Sequence, residues 1–542
     1  MKRITLIHLL LTVMVCLMTA QPKHEVRAVW LTTIGGIDWP TTYAHDGMGI
    51  ATQQRELTNM LDWLKRAGIN TILLQTRVRA TTIYPSDMEP WDGCLSGKTG
   101  VAPGYDALQF AIDECHRRGM ELHAWVVTIP IGKWQTYGCQ QLRRRYPSMV
   151  KKIGDEGYLN PESYYTADYL ADICEEITRR YDIDGIHLDY IRYPETWRGR
   201  KNVDNITRIV QSIHQRVKLY KPWVKLSCSP IGKYDDLSRY SSRGWNARRQ
   251  VAQDAQAWLR DGLMDQLYPM MYFQGNNFYP FAIDWQENSY GRTVVSGLGI
   301  YMLHPRERNW PIDEVQRQIN FTRSIGMGHC YFRAKFLLDN IKGVYDFACY
   351  ADRHPALIPP MTWTRHAAPL APTRLTVERS SQGDRLTWRE GRDNSDGPYL
   401  LYNVYASKQE PVDVSNPENL LATRYIHRQL TVKRRPDQPK LYYAVCAVDR
   451  YGKESEPVSE YMPNKSVAIK STLLPNDGSR LIVPHSAEGR YLVVCTLQGS
   501  IVHTCTNQPT VNISKLSNGV YLLKSLNKKG HPHRIGFFVI KR

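Results

Sequence analysis

The sequence predicts an α/β fold: a (β/α)₈ TIM barrel followed by two small all-β sandwich domains. Three observations support this. Eight short apolar, β-branched segments recur between residues 25 and 355. Amphipathic segments that stop at a glycine lie between them. From residue 372 onward the apolar period changes to two, with no helical segment in between.

The strands are expected at 26–33, 69–76, 120–127, 184–191, 224–231, 264–273, 294–302 and 329–337. Four helices show clearly. Residues 53–67 carry Leu57, Met60, Leu61 and Leu64 on one face and stop at Gly68. Residues 106–118 carry Leu108, Ala111, Ile112 and Cys115 and stop at Gly119. Residues 248–260 and 312–325 repeat the pattern and stop at Gly262 and Gly326. A doubly wound sheet is the competing architecture, but no glycine-rich turn follows the first strand. Proline-rich residues 356–371 read as a linker. The two β-modules are expected at 372–462 and 467–542.

The first twenty residues stand apart. Lys2 and Arg3 precede an apolar run from Ile4 to Met18, and Ala20 offers a small cleavage residue. This is the pattern of a secretory signal peptide, too short for a membrane anchor. Cys16 is an alternative lipid-attachment point, although Val13-Met14-Val15 lacks the small residue usual before it. No later apolar run is long enough to span a bilayer. The expected location is the periplasm, the outer-membrane surface or the extracellular space, with surface attachment as one arrangement. The other ten cysteines form no C-x-x-C pair, which argues against zinc-ribbon and thioredoxin-like chemistry. Cys495 and Cys505 flank an expected hairpin and are a candidate disulfide pair. Net charge is +18, in short runs such as Arg143–Arg145 and Lys151-Lys152. These runs are either solvated faces or an attraction toward an anionic polymer. No nucleic-acid-binding motif accompanies them, so nucleic acid is not an expected partner.

Residues 184–194, DGIHLDYIRYP, place charges in a segment otherwise suited to burial. Alternation puts Ile186, Leu188 and Tyr190 on the face toward the helices, and His187, Asp189 and Ile191 inside the barrel. Asp189 then sits near the C-terminal strand end, where barrels of this kind carry their chemistry. A buried carboxylate needs a partner or a task. Asp184, at the strand's start, reads as structural.

Several stretches, in order, resemble the glycosyl-hydrolase-like family 10 proteins, also called divisome-localised glycosidase-like proteins. They are VRAVWLTT, GINTILLQTRVR, YPSDMEPW, GYDALQFAIDECHRRGMELHAW, DGIHLDYIRYP, SPIG and GLGIYML, within 25–350. The resemblance implies a (β/α)₈ barrel acting on glycans, and a member of this type has been linked to peptidoglycan strands stripped of their peptides. DGIHLDY also looks like the fourth strand of family-18 chitinases, but Ile191 stands where those enzymes carry their catalytic glutamate. Within QTRVRATTIYPS, residues Gln75, Arg77, Tyr84 and Ser86 match the family pattern Q-V-R-P-x-G-D-A-x-Y-x-S, while Thr81 stands at its aspartate. In HAWVVTIP, His123 and Trp125 match, and Val127 stands at an asparagine. The module at 372–462 resembles a fibronectin type III domain. SKLSNGVYLLKSL with HRIGFFVIKR resembles the C-terminal sorting domain of type IX secretion cargo in Bacteroidetes.

Glycoside hydrolysis ordinarily uses two carboxyls. Asp189 is expected as nucleophile or base and Glu89, in SDMEPW, as its partner, with Asp38, Asp235, Asp236 and Glu307 in competition. Gln75 and Arg77 are expected to bind sugar hydroxyls or a carboxylate. Arg192 either does the same or pairs with Asp189. His123 and His187 are candidate ligands or core histidines. Trp39, Trp91, Trp125, Tyr193, Tyr272, Phe273 and Tyr301 lie at strand ends and suit a sugar-stacking cleft. No metal-ligand spacing is evident, and no metal or other cofactor is expected. The expected activity is hydrolysis of O-glycosyl bonds in a polysaccharide or oligosaccharide. A non-catalytic glycan-binding surface protein is the alternative.

Overall fold

A computed structural model describes residues 21–460 apart from 243 and 436, and 473–541 apart from 485–488, 490, 497–499 and 527–531. The leader expected at 1–20, with Cys16, and the opening of the last module at 467–472 lie outside the described residues. The chain separates into two compact units that divide between Glu460 and Tyr461.

In the first unit, eight parallel strands close a barrel. They are β1 (Arg27–Leu31), β2 (Thr71–Arg77), β3 (Glu121–Val127), β4 (Gly185–Asp189), β5 (Lys225–Cys228), β6 (Gln266–Leu267), β7 (Thr293–Leu298) and β8 (Gly328–Tyr331). The outer ring comprises α1 (Gly47–Arg66), α2 (Ala107–Arg117), α3 (Tyr164–Arg180), α4 (Val203–Tyr220), α5 (Ala255–Arg260), α6 (Tyr279–Glu287), α7 (Ile312–Ser324) and α8 (Val344–Ala351). Capping sets several of their bounds. Asp46 accepts from the Gly49 amide at 2.7 Å and starts α1 six residues before its apolar face begins. Gly68 follows that helix at φ +77°, and aspartate Asp352 lies so close that a side chain there would collide with it.

Most strands come out shorter than expected, and three expected elements are broken up. The strand expected at 264–273 survives as two residues plus a bridge at Met270, because Pro269 supplies no amide to the ladder. The strand expected at 329–337 ends at Tyr331 and turns into a helix, Ala334–Leu338. The helix expected at 248–260 is two pieces, Ala247–Val251 and Ala255–Arg260, separated where Ala252 adopts φ +58°.

Side chains alternate as the period of two requires. Ile186 and Leu188 of β4 join the core beneath the helices. Trp30, Leu73, Trp125, Val127, Tyr268, Val295 and Cys330 fill the interior. The loop between β3 and α3 carries a small antiparallel sheet of Pro130–Lys133, Val150–Ile153 and Glu156–Leu159.

Residues 356–371 lead into a seven-stranded sandwich. One sheet holds Thr373–Ser380, Gly383–Arg389 and Gln429–Lys433. The other holds Leu401–Ser407, Leu420–Tyr425, Tyr442–Val448 and Val458–Ser459. This sandwich is bound to the barrel's N-terminal end, and the connecting segment is ordered between them. Leu357 packs with Tyr405, Val412 and Leu420, and its amide donates to the Lys23 carbonyl. Arg424 reaches Glu121 at 3.0 Å and also pairs with Asp184. Arg450 reaches Asp182 at 2.7 Å and Asp184 at 3.2 Å. Asp184 also binds His116 and accepts from the Leu122 amide, each at 2.9 Å, as a structural acid would.

The second unit has two antiparallel sheets sharing one core of Leu481, Leu492, Val494, Val511, Leu523 and Phe538. Its hairpin strands Tyr491–Thr496 and Ile501–Thr506 set Leu492 opposite Cys505 and Cys495 opposite Ile501. The candidate disulfide therefore does not form, and both thiols are free.

Candidate active site

β4 ends on Asp189, and the next residue, Tyr190, takes φ +53°. That reversal breaks the alternation. The Tyr190 ring turns toward the barrel interior and Ile191 enters the outer core, the opposite of the expected facing. Asp189 is left at the mouth with its carboxylate held from three sides. Ser229 Oγ donates to Oδ1 at 2.8 Å, the Tyr190 amide to Oδ1 at 2.8 Å, and Trp125 Nε1 to Oδ2 at 3.2 Å. Burial pushes the carboxyl above the ordinary aspartate range, and the Ser229 hydrogen bond and the Arg192 charge act against that rise. No cation forms an ion pair with Asp189 among the described residues, so burial prevails.

One wall of the mouth is aromatic. The Tyr272 ring packs 5.3 Å from Phe332 and 5.8 Å from Tyr301 between centroids. The Tyr272 hydroxyl is buried and has no hydrogen-bond partner. Trp30 meets Phe332 from below at 5.8 Å. Arg192 lies 4.3 Å over the Tyr190 ring and pairs with Glu195, leaving its Nε buried without a partner. It therefore meets Asp189 only through space.

The histidines belong to the layer below. Trp30 Nε1 can only donate, so His187 Nε2 accepts from it at 3.2 Å, and the ring proton sits on Nδ1 facing Ser227 Oγ at 3.0 Å. Burial, with His123 nearby, pushes the His187 imidazole well below its ordinary range, so it is neutral. His123 lies lower still, bonded to Glu121 at 3.0 Å. Gly185 makes room for it: a Cβ there would sit 2.6 Å from the imidazole nitrogen. Both are core histidines in this arrangement rather than groups facing a ligand.

Gln75 and Arg77 also turn away from the mouth. The Gln75 amide oxygen accepts from the Thr33 and Ile34 amides at 3.0 and 2.9 Å. Arg77 is fully buried, holding Glu89 at 2.7 Å through Nη2 and 2.8 Å through Nε, and donating to the Val127 and Thr128 carbonyls. Tyr169 of α3 donates to the same Glu89 carboxylate at 2.7 Å. Expected as a second catalytic acid, Glu89 is instead tied into a buried pair. The physical reason is Arg77: an unpaired guanidinium could not stay buried there. The pair braces the end of β3. Thr128 in turn donates from its amide and hydroxyl to the Asp189 carbonyl at 2.9 and 2.8 Å.

Two of the four competing acids are also engaged. Asp38 accepts from Thr32 at 2.6 Å and pairs with Arg333. Asp235 pairs with Arg249 at 2.8 Å. Glu307 is exposed, and Asp236 is half-buried. Trp39 and Tyr193 are core residues, bonded to the Gln53 carbonyl and to Asn205. Among the described residues no group of three metal-binding side chains converges.

Ser229, Tyr190 and Phe332 complete the site without having been singled out from the sequence. Ser229 was legible in principle. Ser227 in β5 and Ser229 just beyond its end share the inward face, two small hydroxyls in a segment that otherwise reads as a core strand.

A family model described as Glycosyl hydrolase-like 10 matches residues 25–204 and 195–302. The chain is 29% identical to "Glycosyl hydrolase YngK" of Bacillus subtilis (strain 168), over 81% of this chain and 93% of that protein. It is 29% identical to "Glycosyl hydrolase DigH" of Escherichia coli (strain K12), over 47% of this chain and 67% of that protein. Among solved structures, it is similar to an α-L-fucosidase isoenzyme 2 from Paenibacillus thiaminolyticus at TM-score 0.40 and 14% identity, covering 60% of this chain and 49% of that one.

Proposed function

Because the chain belongs to the glycosyl hydrolase-like 10 family, we propose that it is a secreted glycoside hydrolase cutting O-glycosyl bonds of a cell-wall polysaccharide, with peptidoglycan glycan strands as the leading substrate. One observation carries this: Asp189 is a carboxylate without an ion-pair partner among the described residues, held at the C-terminal mouth of the barrel and faced by aromatic rings. Asp189 acts in its ionised form, as nucleophile or base. Its three hydrogen-bond donors fix its direction before substrate arrives. Trp125, Tyr272 and Tyr301 supply faces and hydroxyls suited to a sugar ring, and Arg192 adds positive charge. Glu89 acts through Arg77 as a positioning residue, holding the Thr128 loop against Asp189.

Secretion rests on the leader pattern at 1–20. The strand order of the first sandwich supports reading it as a fibronectin type III-like spacer, and the stretches SKLSNGVYLLKSL and HRIGFFVIKR are the basis for reading the last module as a sorting-like domain that offers surface attachment.

A non-catalytic glycan-binding protein is the second reading. The observation favouring it is that Glu89, Asp38 and Asp235, three candidates for the second carboxyl, are each bound to an arginine. Incubating the purified chain with peptide-free peptidoglycan strands and with chitin oligomers, beside Asp189→Asn, decides between them. New reducing ends from the parent and none from the variant are expected. Binding without cleavage by the parent would favour the second reading, and cleavage that persists in Asp189→Asn would remove Asp189 from the mechanism.

A further inference from the structure

We propose that Arg79 and Lys133 form a carboxylate-binding subsite beside Asp189, so that the polymer engaged there carries an acidic sugar. The inference rests on Asp189 as the reacting group and adds the residues that select its substrate. Arg77, the arginine expected to grip a carboxylate, is consumed by Glu89. Two residues on, the chain turns out of β2 and Arg79 emerges exposed. Position 79 is one of three that the family pattern leaves open, two residues before Thr81, which replaces an aspartate.

Arg79 and Lys133 line one cleft of about 210 Å³ between the β2 loop and the small sheet after β3. Gly132 brings the two strands of chain together: at φ +92°, its missing Cβ would lie 3.6 Å from the Arg79 Cβ. Neither cation has an ion-pair partner among the described residues. Asp92 faces the same cleft, but its oxygens already accept from Thr81 Oγ1 at 2.6 Å and the Cys94 amide at 2.8 Å. The cleft thus keeps a net positive charge. The Thr136 hydroxyl, which donates to the Lys133 carbonyl at 2.7 Å, is left to accept from a sugar hydroxyl, and the exposed Tyr137 ring suits its apolar face. The cleft also lies along the segment that leaves the reacting residue: Thr128, four residues before Gly132, donates from its amide and hydroxyl to the Asp189 carbonyl at 2.9 and 2.8 Å. A guanidinium with an ammonium beside it fits a planar carboxylate, the guanidinium by its two parallel N–H groups and the ammonium as a point charge.

The test is equilibrium binding by the full chain carrying Asp189→Asn, so that the polymer survives. The probes are peptide-free peptidoglycan strands and the same strands after chemical reduction of their carboxyls to alcohols. The Asp189→Asn chain is expected to bind native strands roughly 10- to 100-fold more tightly than reduced ones. Adding Arg79→Gln and Lys133→Gln should erase that preference at unchanged melting temperature, Arg79→Lys should keep part of it, and salt should weaken it. Equal affinity for both probes, no affinity for either, or a preference that outlives both cations overturns the subsite. Cleavage by the parent chain is scored separately. A chain that prefers acidic strands without ever cutting them keeps the subsite and loses the hydrolase reading. One that cuts native and reduced strands equally well does the reverse.

Discussion

The Ser229 hydroxyl donates a 2.8 Å hydrogen bond to the Asp189 carboxylate, linking the ends of β5 and β4. It is the largest influence opposing the burial that raises the Asp189 carboxyl. Ser229→Ala therefore raises that carboxyl further, and under the proposed role, in which Asp189 acts ionised, the acid limb of the pH–rate profile should move to higher pH. An unmoved limb in Ser229→Ala would show that another group controls it.

Asp189→Asn should remove activity and stabilise the fold together. A carboxyl whose folded pKa lies above its unfolded value favours folding only below the unfolded value, and that contribution is lost as pH rises through the folded one. At neutral pH the ionised, buried Asp189 is thus a net cost, which the neutral amide avoids. Turnover is expected to fall roughly 10²- to 10⁴-fold. Melting temperature should rise at pH 7, and the advantage should shrink toward about pH 4, the ordinary aspartate range. A variant less stable than the parent at pH 7 would contradict this.

The barrel was legible because its strands are buried on both faces and read as apolar runs with helices of period 3.6 between them. The place of Asp189 at the barrel mouth was legible for the same reason: it is a charge in such a run at a strand's C-terminal end. Its neighbours were harder to read. Arg77 and Glu89 look like substrate contacts in sequence, because nothing twelve residues apart signals that two charges neutralise each other. The facing of Tyr190 and Ile191 was misread because one left-handed residue ends the alternation, and Tyr190 is not a residue type that announces such a turn. The docking of the first sandwich on the barrel depends on Arg424 and Arg450, which meet Glu121 and Asp184 from 240 or more residues away.

Glu89→Ala should cost about 3–5 kcal/mol of stability, because it leaves Arg77 buried without its counter-charge. Glu89→Gln, which keeps an acceptor for Tyr169 and Arg77, should cost less and retain measurable turnover. Chemical denaturation with parallel assays separates the possibilities. A Gln variant with full stability and no turnover would return Glu89 to the reacting groups.

The sandwich-to-barrel seam makes an acid-sensitivity prediction. Against the cost of burial, Arg424, His116 and Arg450 hold the Asp184 carboxyl well below its ordinary range, and Lys225 and Arg424 hold Glu121 down to about 2. Carboxyls depressed in the folded state contribute stability above their unfolded pKa and lose it as pH falls toward the folded one. The first unit should therefore lose stability below about pH 4, and Arg450→Ala should cost about 3–5 kcal/mol at neutral pH. A chain ending at 460 should fold, whereas one ending at 355 should not, since Asp184 and Glu121 would lose their arginines. An equally stable 355-residue chain would show that the sandwich is dispensable to the barrel.

Tyr272 offers the sharpest separation of function from folding. Its hydroxyl is buried without a partner, which costs about 1–3 kcal/mol relative to a satisfied or absent group. A fold retains such a cost where the group meets a ligand, and the ring is already fixed by Tyr301 and Phe332 at the mouth. Tyr272→Phe should leave the chain as stable as the parent or about 1 kcal/mol more so, and lower kcat/KM roughly 10- to 100-fold through the lost hydrogen bond to bound sugar. Thermal melts and initial rates on the same glycan strands check both halves. Undiminished kcat/KM in a stable Tyr272→Phe would show that the hydroxyl never meets the substrate, and would move the sugar-binding wall from Tyr272 to the Trp125 side of Asp189.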